Sequence, residues 1–281
     1  MFNTTNNILK SIALIGVIST HTLACSSGSN DIDAKAEQMV VEAANALDRG
    51  EFDVAAALLD SMTATYPKAI NARRQAITLR PKVIERQTQQ EIAELQMLMQ
   101  STAQYVDSLQ QFFTTVPRSE EQLESYVISK SAPSNWRERN TAIARMSPSG
   151  EFYMISSLAG RSTHHTAIAI SADGVTVSSG TVPYDAELLL SRESVRFASG
   201  AADTLGVVAC QFDAMHKPVT LRYLGGRTSP TATLTATEIH AIADTWRLSQ
   251  AVSSMAPMSS RLEQLKAKLQ LARDQQARRT D

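Results

Sequence analysis

The chain has 281 residues, and its 27 Lys and Arg nearly balance its 28 Asp and Glu, which gives a formal net charge of −1 at pH 7. This near-neutral charge argues against nucleic acid as a partner. The length is enough for one or two domains with a packed core.

The first predicted element is a secretory signal peptide over residues 1–24. Its apolar run, residues 12–18, is too short to cross a bilayer, which needs about 20 apolar residues. The segment ends in a small residue followed by Cys25, and this junction resembles the cleavage site of bacterial lipoprotein precursors. The resemblance implies that Cys25 is acylated, with palmitate as an attached chain, and becomes the first mature residue. The alternative is an ordinary signal peptide cut near Ala24, with no role for the cysteine.

Residues 25–33 are polar and are predicted to form a tether between the lipid and the fold. In lipoproteins of bacteria with two membranes, a serine after the lipidated cysteine usually goes with the outer membrane, and Ser26 occupies that position. The resemblance therefore implies a lipid anchor on Cys25 in the cell outer membrane. It leaves open whether the protein faces the periplasm or the cell surface.

An alanine-rich helical unit is predicted over residues 34–80. Its first helix ends at Gly50, and a second helix is predicted over residues 52–65. A third helix is predicted over residues 70–79. The run from Gly50 to the proline at position 67 resembles a tetratricopeptide helical hairpin. Two alternatives remain, a true binding repeat and a plain three-helix unit with similar turns.

The clearest periodicity lies in residues 82–116, where apolar side chains alternate at spacings of three and four, as in a coiled-coil helix. The same spacing returns in a C-terminal helix predicted over residues 237–280, and the two segments carry opposite net charge. The sequence therefore predicts an antiparallel coiled-coil stalk within one chain. The alternative is a homodimer in which each seam pairs with its twin in a second chain. The predicted seam positions are Ile92, Leu95, Met99, Thr102, Val106, Leu109, Phe113 and Val116 in the first helix and Met255, Met258, Leu262, Leu265, Leu269 and Ala272 in the second.

Between these two helices the sequence changes to short β segments, and residues 150–235 are predicted to form a small antiparallel β head domain. Thr235 and Glu238 form a capping box that starts the C-terminal helix. The predicted fold class is α+β, with an N-terminal helical hairpin, a stalk of two distant helices and a β head inserted between them. The predicted strands are 152–158, 165–171, 175–178, 195–198, 207–212, 219–224 and 231–234.

The sequence carries few signals of chemistry. The adjacent His164 and His165 would point to opposite faces of a strand, so they could not hold one metal ion together. No HExxH motif or paired CxxC motif is present. Cys210, predicted in the strand 207–212, is expected to be a small core residue rather than a nucleophile. We therefore predict no catalytic residue, no metal site and no cofactor.

The order of the segments resembles that of uncharacterised outer-membrane lipoproteins of the Bacteroidota, in which a signal, a tetratricopeptide-like hairpin, a coiled coil and a small β domain follow one another. The resemblance implies an address and a layout, and it implies no reaction. We predict a lipid-anchored cell-envelope protein that acts as a non-enzymatic scaffold or binding module for an envelope protein partner. The alternative is a small-ligand binder or hydrolase with a site in the β head near His164 and His165.

Overall fold

The computed structural model describes residues 28–119, 124–160, 162–184, 187–189, 192–198 and 200–280. The predicted signal peptide and Cys25 lie outside these residues. The described residues divide into two compact units, one of residues 28–84 with 278–280 and one within residues 85–277. The described residues contain five α-helices and two antiparallel sheets, which confirms the predicted α+β class.

The elements are numbered along the chain. The helices are α1 (Gly28–Asp48), α2 (Phe52–Thr65), α3 (Ile70–Gln110), α4 (Asp203–Asp213) and α5 (Ala236–Thr280). The strands are β1 (Phe113–Val116), β2 (Tyr126–Ser129), β3 (Thr141–Met146), β4 (Phe152–Ala159), β5 (Ala167–Ala172), β6 (Val175–Ser178), β7 (Glu187–Leu189), β8 (Arg192–Phe197), β9 (Val219–Leu224) and β10 (Thr231–Leu234). A short 3-10 turn, Trp136–Glu138, precedes β3. None of the helices described is both long enough and apolar enough to cross a membrane.

The first unit contains α1, α2 and the start of α3, which pack through small alanine side chains. Gly50 ends α1 as predicted, with a φ of +75° that suits glycine. The N–H of Glu51 donates to the Ala46 carbonyl at 2.9 Å, and the N–H of Gly50 donates to the Leu47 carbonyl at 3.0 Å. These two bonds form a Schellman motif, which satisfies the carbonyl groups at the helix end.

Two boundaries in this unit differ from the prediction. Helix α1 begins at Gly28, inside the segment 25–33 that was predicted to be a tether. Helix α3 runs through Pro81, where the sequence predicts a break between two helices. An internal proline costs about 3 kcal/mol. Pro81 and Val83 are buried here, so side-chain packing offsets that cost.

The second unit contains both sheets. The larger has the strand order β1-β2-β3-β4-β8-β7 and the smaller the order β10-β9-β5-β6. One hydrophobic core joins residues of both sheets with α4 and the first turns of α5. Thr235 and Glu238 cap α5 as predicted, because the Thr235 N–H donates to Glu238 Oε2 at 2.7 Å and the Glu238 N–H donates to Thr235 Oγ1 at 3.2 Å.

The β structure begins earlier than the predicted residue 150, because β1, β2 and β3 all precede it. The helix predicted over 82–116 ends at Gln110, and Phe113 and Val116 lie on β1 instead. Phe113 nevertheless packs in one cluster with Val106 of α3. The apolar spacing therefore continues from α3 into β1, which explains why the sequence predicts a helix as far as residue 116.

The strand predicted over residues 207–212 is wrong, because this segment belongs to α4. The buried residues Leu205, Ala209 and Phe212 follow the helical spacing. Gly206 lies against the indole of Trp246, and a Cβ added there would meet Trp246 Cε3 at 2.5 Å.

Within the second unit, residues 85–110 of α3 run beside the later part of α5. Glu85 pairs with Arg273 at 2.9 Å, and Glu91 pairs with Arg261 at 3.2 Å. All the predicted seam positions on these helix segments are buried or half-buried, whereas most of the side chains between them are exposed.

Candidate functional site

A serine, a histidine and a glutamate meet in the interior of the second unit. Ser156 lies on β4 and Glu193 on β8, whereas His165 lies in the loop two residues before β5 of the smaller sheet. Ser156 is paired with Val195 and Glu193 with Leu158, so both polar side chains share the apolar face of the larger sheet. Ser156, His165 and Glu193 are each fully buried. We call these three residues the Ser–His–Glu cluster.

The side chains of the cluster form a continuous polar path. Ser156 Oγ lies 2.6 Å from His165 Nε2, and His165 Nδ1 lies 2.6 Å from Glu193 Oε1. The second contact is close but poorly directed, because the Nδ1–H bond does not point well enough at a carboxylate oxygen to form a hydrogen bond. It is therefore an electrostatic contact. The order of the groups is that of a catalytic serine triad.

The carboxylate of Glu193 also organises the loop before β5. Its Oε2 accepts hydrogen bonds from the Ser162 hydroxyl at 2.6 Å, the Thr163 N–H at 2.7 Å and the His164 N–H at 3.1 Å. Its Oε1 accepts the N–H of His165 at 2.7 Å. Burial alone would raise the pKa of Glu193, but these hydrogen bonds outweigh it and lower the pKa below its ordinary value. Glu193 is thus held as a carboxylate.

Burial also determines the protonation state of His165. It lowers the pKa of the imidazole and outweighs the attraction of the Glu193 carboxylate, so the neutral ring is favoured. A neutral ring with its hydrogen on Nδ1 keeps that nitrogen beside the Glu193 carboxylate and leaves Nε2 to accept a hydrogen bond from the Ser156 hydroxyl. The ring of Tyr223 lies edge-on at 5.0 Å, and its hydroxyl donates to the Ser157 carbonyl at 2.6 Å.

A glycine turn after β9 holds the loop in place. The Arg227 N–H donates to the Thr163 carbonyl at 2.8 Å. A Cβ on Gly226 would lie 2.3 Å from the same carbonyl oxygen, so a side chain cannot fit there. Gly225 and Gly226 form a turn, and the absence of a side chain at Gly226 also allows the turn to approach the loop closely.

His164 points away from the cluster. It is exposed, has a φ of +61° and stacks on Tyr184 with ring centroids 4.5 Å apart. The Tyr184 hydroxyl lies 3.2 Å from Ser162 Oγ, which links this surface pair to the loop around Glu193. The two adjacent histidines therefore have separate environments.

The cluster has the atoms of a nucleophile, a base and an orienting acid, but solvent does not reach any of its three side chains. Ser156, His165 and Glu193 have no exposed surface, so a substrate in solution cannot reach the Ser156 hydroxyl in this conformation. A catalytic serine has to contact its substrate. In the conformation described, the cluster is closed to solvent and contributes polar contacts to the core.

Cys210 does not join this cluster. It lies on α4 and is half-buried, and its Sγ–H donates weakly to the Ala243 carbonyl at 3.7 Å. Burial raises the pKa of the thiol, which favours the protonated and unreactive form.

A second polar cluster links α4 to α5. Asp213, His240 and Asp244 offer possible ligand atoms within 4.8 Å of one another. His240 Nδ1 lies 2.9 Å from Asp213 Oδ1, and His240 Nε2 lies 3.1 Å from Asp244 Oδ2. Arg247 binds the remaining oxygens of both carboxylates, at 2.9 Å and 2.7 Å. The oxygens are therefore engaged in a closed ion-pair network, which is a structural link between the helices.

Ser156 and Glu193 are candidate functional-site residues that the sequence did not predict. A signal for Glu193 is present, because Glu193, Val195 and Phe197 alternate on one strand and the last two are core residues. Alternation places side chains two residues apart on the same face. A glutamate on an apolar face must have polar partners, and that requirement points to His165 only once the two sheets are assembled.

No family model, curated protein or solved structure matches this chain in the three comparisons.

Proposed function

We propose that this protein is a lipid-anchored cell-envelope protein that acts as a non-enzymatic scaffold or binding module. Its anchor is the lipid on Cys25, in the outer membrane. Its contact surfaces are the tetratricopeptide-like helical unit and the β head, and its partner is another envelope protein. The observation that carries the non-enzymatic part is the complete burial of the Ser–His–Glu cluster.

We also propose that α3 and α5 pair within one chain as an antiparallel coiled-coil stalk. Glu85 contacts Arg273, and the later Glu91 contacts the earlier Arg261, which is the order expected of antiparallel helices. The opposite charges match the predicted charge difference between the segments. Exposed ion pairs contribute little, so the half-buried apolar seam supplies most of the stability.

The helical unit supports a binding role through a groove of about 420 Å³. Two cations lie beside two apolar side chains there, which suits a partner segment with acidic and apolar residues. The lining residues are Val40, Arg74, Gln75, Thr78, Leu79 and Lys82.

Metabolic labelling with a palmitate analogue tests the anchor. We expect label on the natural chain and on Cys210→Ala, and no label on Cys25→Ala, because the chain has two cysteines. Label that persists in Cys25→Ala would overturn the proposed anchor.

Crosslinking in intact cell envelopes tests the binding role. Arg74→Glu and Lys82→Glu reverse charge in the groove, and we expect about tenfold less of one stoichiometric partner with either change. Lys68→Glu is the matched control, since Lys68 is exposed in the same unit outside the groove. If the control loses the partner equally, or if no partner is crosslinked, the binding role of the groove is wrong.

A serine hydrolase is the second candidate, favoured by the two 2.6 Å contacts within the cluster. It requires an opening that exposes Ser156. A fluorophosphonate probe distinguishes the candidates, with Ser156→Ala as the test and its buried neighbour Ser157→Ala as the control. Labelling that Ser156→Ala alone removes would establish the hydrolase. No labelling in any variant is the result we expect.

A further inference from the structure

The larger sheet carries an arginine surrounded by aromatic rings. The guanidinium carbon of Arg145, on β3, lies 3.7 Å from the ring centroid of Tyr126 and 5.3 Å from that of Trp136. Tyr153 faces Arg145 directly across the β3–β4 pair. Arg145 is only 7% exposed, so its charge lies mostly within this aromatic surround.

Arg145 has no counter-ion among the described residues. No carboxylate among the residues the structure describes forms an ion pair with it, and its Nε is buried without a hydrogen-bond partner. Burial lowers the pKa of the guanidinium, although it remains protonated. Cation–π contacts recover part of the cost of burying a charge, but they leave the Nε–H donor of Arg145 without an acceptor. Such an arginine is suited to receive an anion.

Two further arginines flank it. Arg137 lies over the Trp136 ring at 4.8 Å, and Arg196 lies over the Tyr153 ring at 4.1 Å. Cations and rings therefore alternate across this surface, which we call the arginine–aromatic face. It consists of Tyr126, Trp136, Arg137, Arg145, Tyr153 and Arg196.

The charge of this face is strongly positive. Among the described residues its one acidic contact is Glu124, which pairs with Arg196 at 3.0 Å. Three guanidinium groups against one carboxylate leave a net charge of about +2, and the outer two arginines are exposed. A dianion complements this charge better than a monoanion, and guanidinium groups bind phosphate oxygens in a bidentate manner.

We propose that the arginine–aromatic face binds a phosphate group, with Arg145 as the central contact and Arg137 and Arg196 as flanking contacts. This inference rests on the proposed binding function and names a ligand chemistry for the β head. The phosphate belongs to a free phosphorylated small molecule or to the phosphomonoester headgroup of a lipid such as phosphatidic acid, which share the same dianionic group.

Calorimetric titration of the purified full chain with inorganic phosphate tests the proposal at constant ionic strength. We expect saturable binding that Arg196→Gln weakens about tenfold, because one charge-assisted contact is lost. Arg137→Gln should act in the same direction. Both residues are exposed, so these variants are expected to fold. Arg145→Met removes the central contact, and a circular dichroism spectrum checks its fold.

Arg222→Gln is the matched control, because Arg222 is an exposed strand arginine on the smaller sheet. Acetate should bind more weakly than phosphate.

Vesicles that contain phosphatidic acid distinguish the two sources, since binding to vesicles in preference to a soluble phosphomonoester assigns the headgroup. Absence of saturable phosphate binding, or equal weakening in Arg222→Gln and Arg196→Gln, would overturn the proposal. Neither result affects the palmitate and crosslinking tests, so failure here remains distinct from failure of the proposed function.

Discussion

The carboxylate of Glu193 and the imidazole of His165 lie 2.6 Å apart, and neither side chain has any exposed surface. Glu193 belongs to β8 of the larger sheet, whereas His165 leads into β5 of the smaller one. The contact therefore links the two sheets through their shared core. Because both groups are buried, removal of either leaves a polar partner without compensation, which destabilises the protein more than loss of a surface contact does.

Glu193→Gln should lower the free energy of unfolding by about 2–4 kcal/mol. The amide places an NH2 group where the carboxylate oxygens now accept bonds from Ser162 and from three backbone N–H groups. Urea unfolding measures the loss. Glu151→Gln serves as the control, since Glu151 is exposed and should change stability by less than about 0.5 kcal/mol. Equal effects of the two changes would show that Glu193 does not organise the loop.

Acid should destabilise the natural chain in two steps. His165 has a folded pKa below 6.5, so below that pH the unfolded chain binds a proton that the folded chain does not. Stability therefore falls as the pH drops below about 6.5. Glu193 has a lowered folded pKa as well, and its contribution is lost as the pH falls from about 4.5 through that folded pKa.

The measurement for this second prediction is urea unfolding from pH 8 down to about pH 2.5, which covers both steps. His165→Gln should flatten the part of the profile just below pH 6.5, because the titrating group is gone. His216→Gln provides the comparison, as His216 is exposed in the turn after α4. A profile of His165→Gln parallel to that of the natural chain would contradict the assignment of a neutral buried imidazole.

The sequence predicted those elements whose signals are local. Helix α2 has the predicted bounds, and β6, β9 and β10 match the predicted strands, because turn residues bracket each of them. The strand predicted over residues 207–212 failed because a short apolar run fits a buried strand and a buried helix equally well. Strand β3 was missed because its alanines have low strand propensity and its stability comes from packing.

The candidate site could be predicted only in part. His165 was recognised as a residue of interest in the head, but its partners lie 9 and 28 residues away in the chain. The meeting of Ser156 with His165 depends on how one sheet packs on the other, which no local pattern encodes. For the same reason, Arg145 reveals its aromatic surround only when β2, β3 and β4 are side by side.

Gly206→Ala should destabilise the protein although alanine is the better helix former. Alanine gains about 1 kcal/mol of helix propensity over glycine. The added methyl group would lie 2.5 Å from Trp246 Cε3, and the rigid indole is itself held edge-on against Phe152 at 5.0 Å. We expect a net loss of about 1–3 kcal/mol by thermal or urea unfolding.

The double variant Gly206→Ala with Trp246→Leu separates the clash from other effects. A smaller side chain at Trp246 should remove most of the penalty of the added methyl group, which a double-mutant cycle would detect as a coupling energy. Val207→Ala is a control on the same helix, because Val207 is 47% exposed and its truncation leaves the contact between Gly206 and Trp246 unchanged. Additive effects at Gly206 and Trp246 would show that the two residues are not in contact.

Leu265→Asp tests the pairing of α3 with α5. Leu265 is 2% exposed, and a carboxylate at this buried seam position should lower the free energy of unfolding by about 3 kcal/mol. Leu271→Asp is the matched control, because Leu271 lies on the same helix and is 59% exposed.

Hydrogen exchange should then show faster exchange in residues 85–110 and 255–277 of the Leu265→Asp variant, with the near-ultraviolet circular dichroism of the β head unchanged. Equal responses to the two changes would contradict the pairing within one chain. Dissociation of a dimer in Leu265→Asp, seen by analytical ultracentrifugation, would assign the seam to a second copy instead.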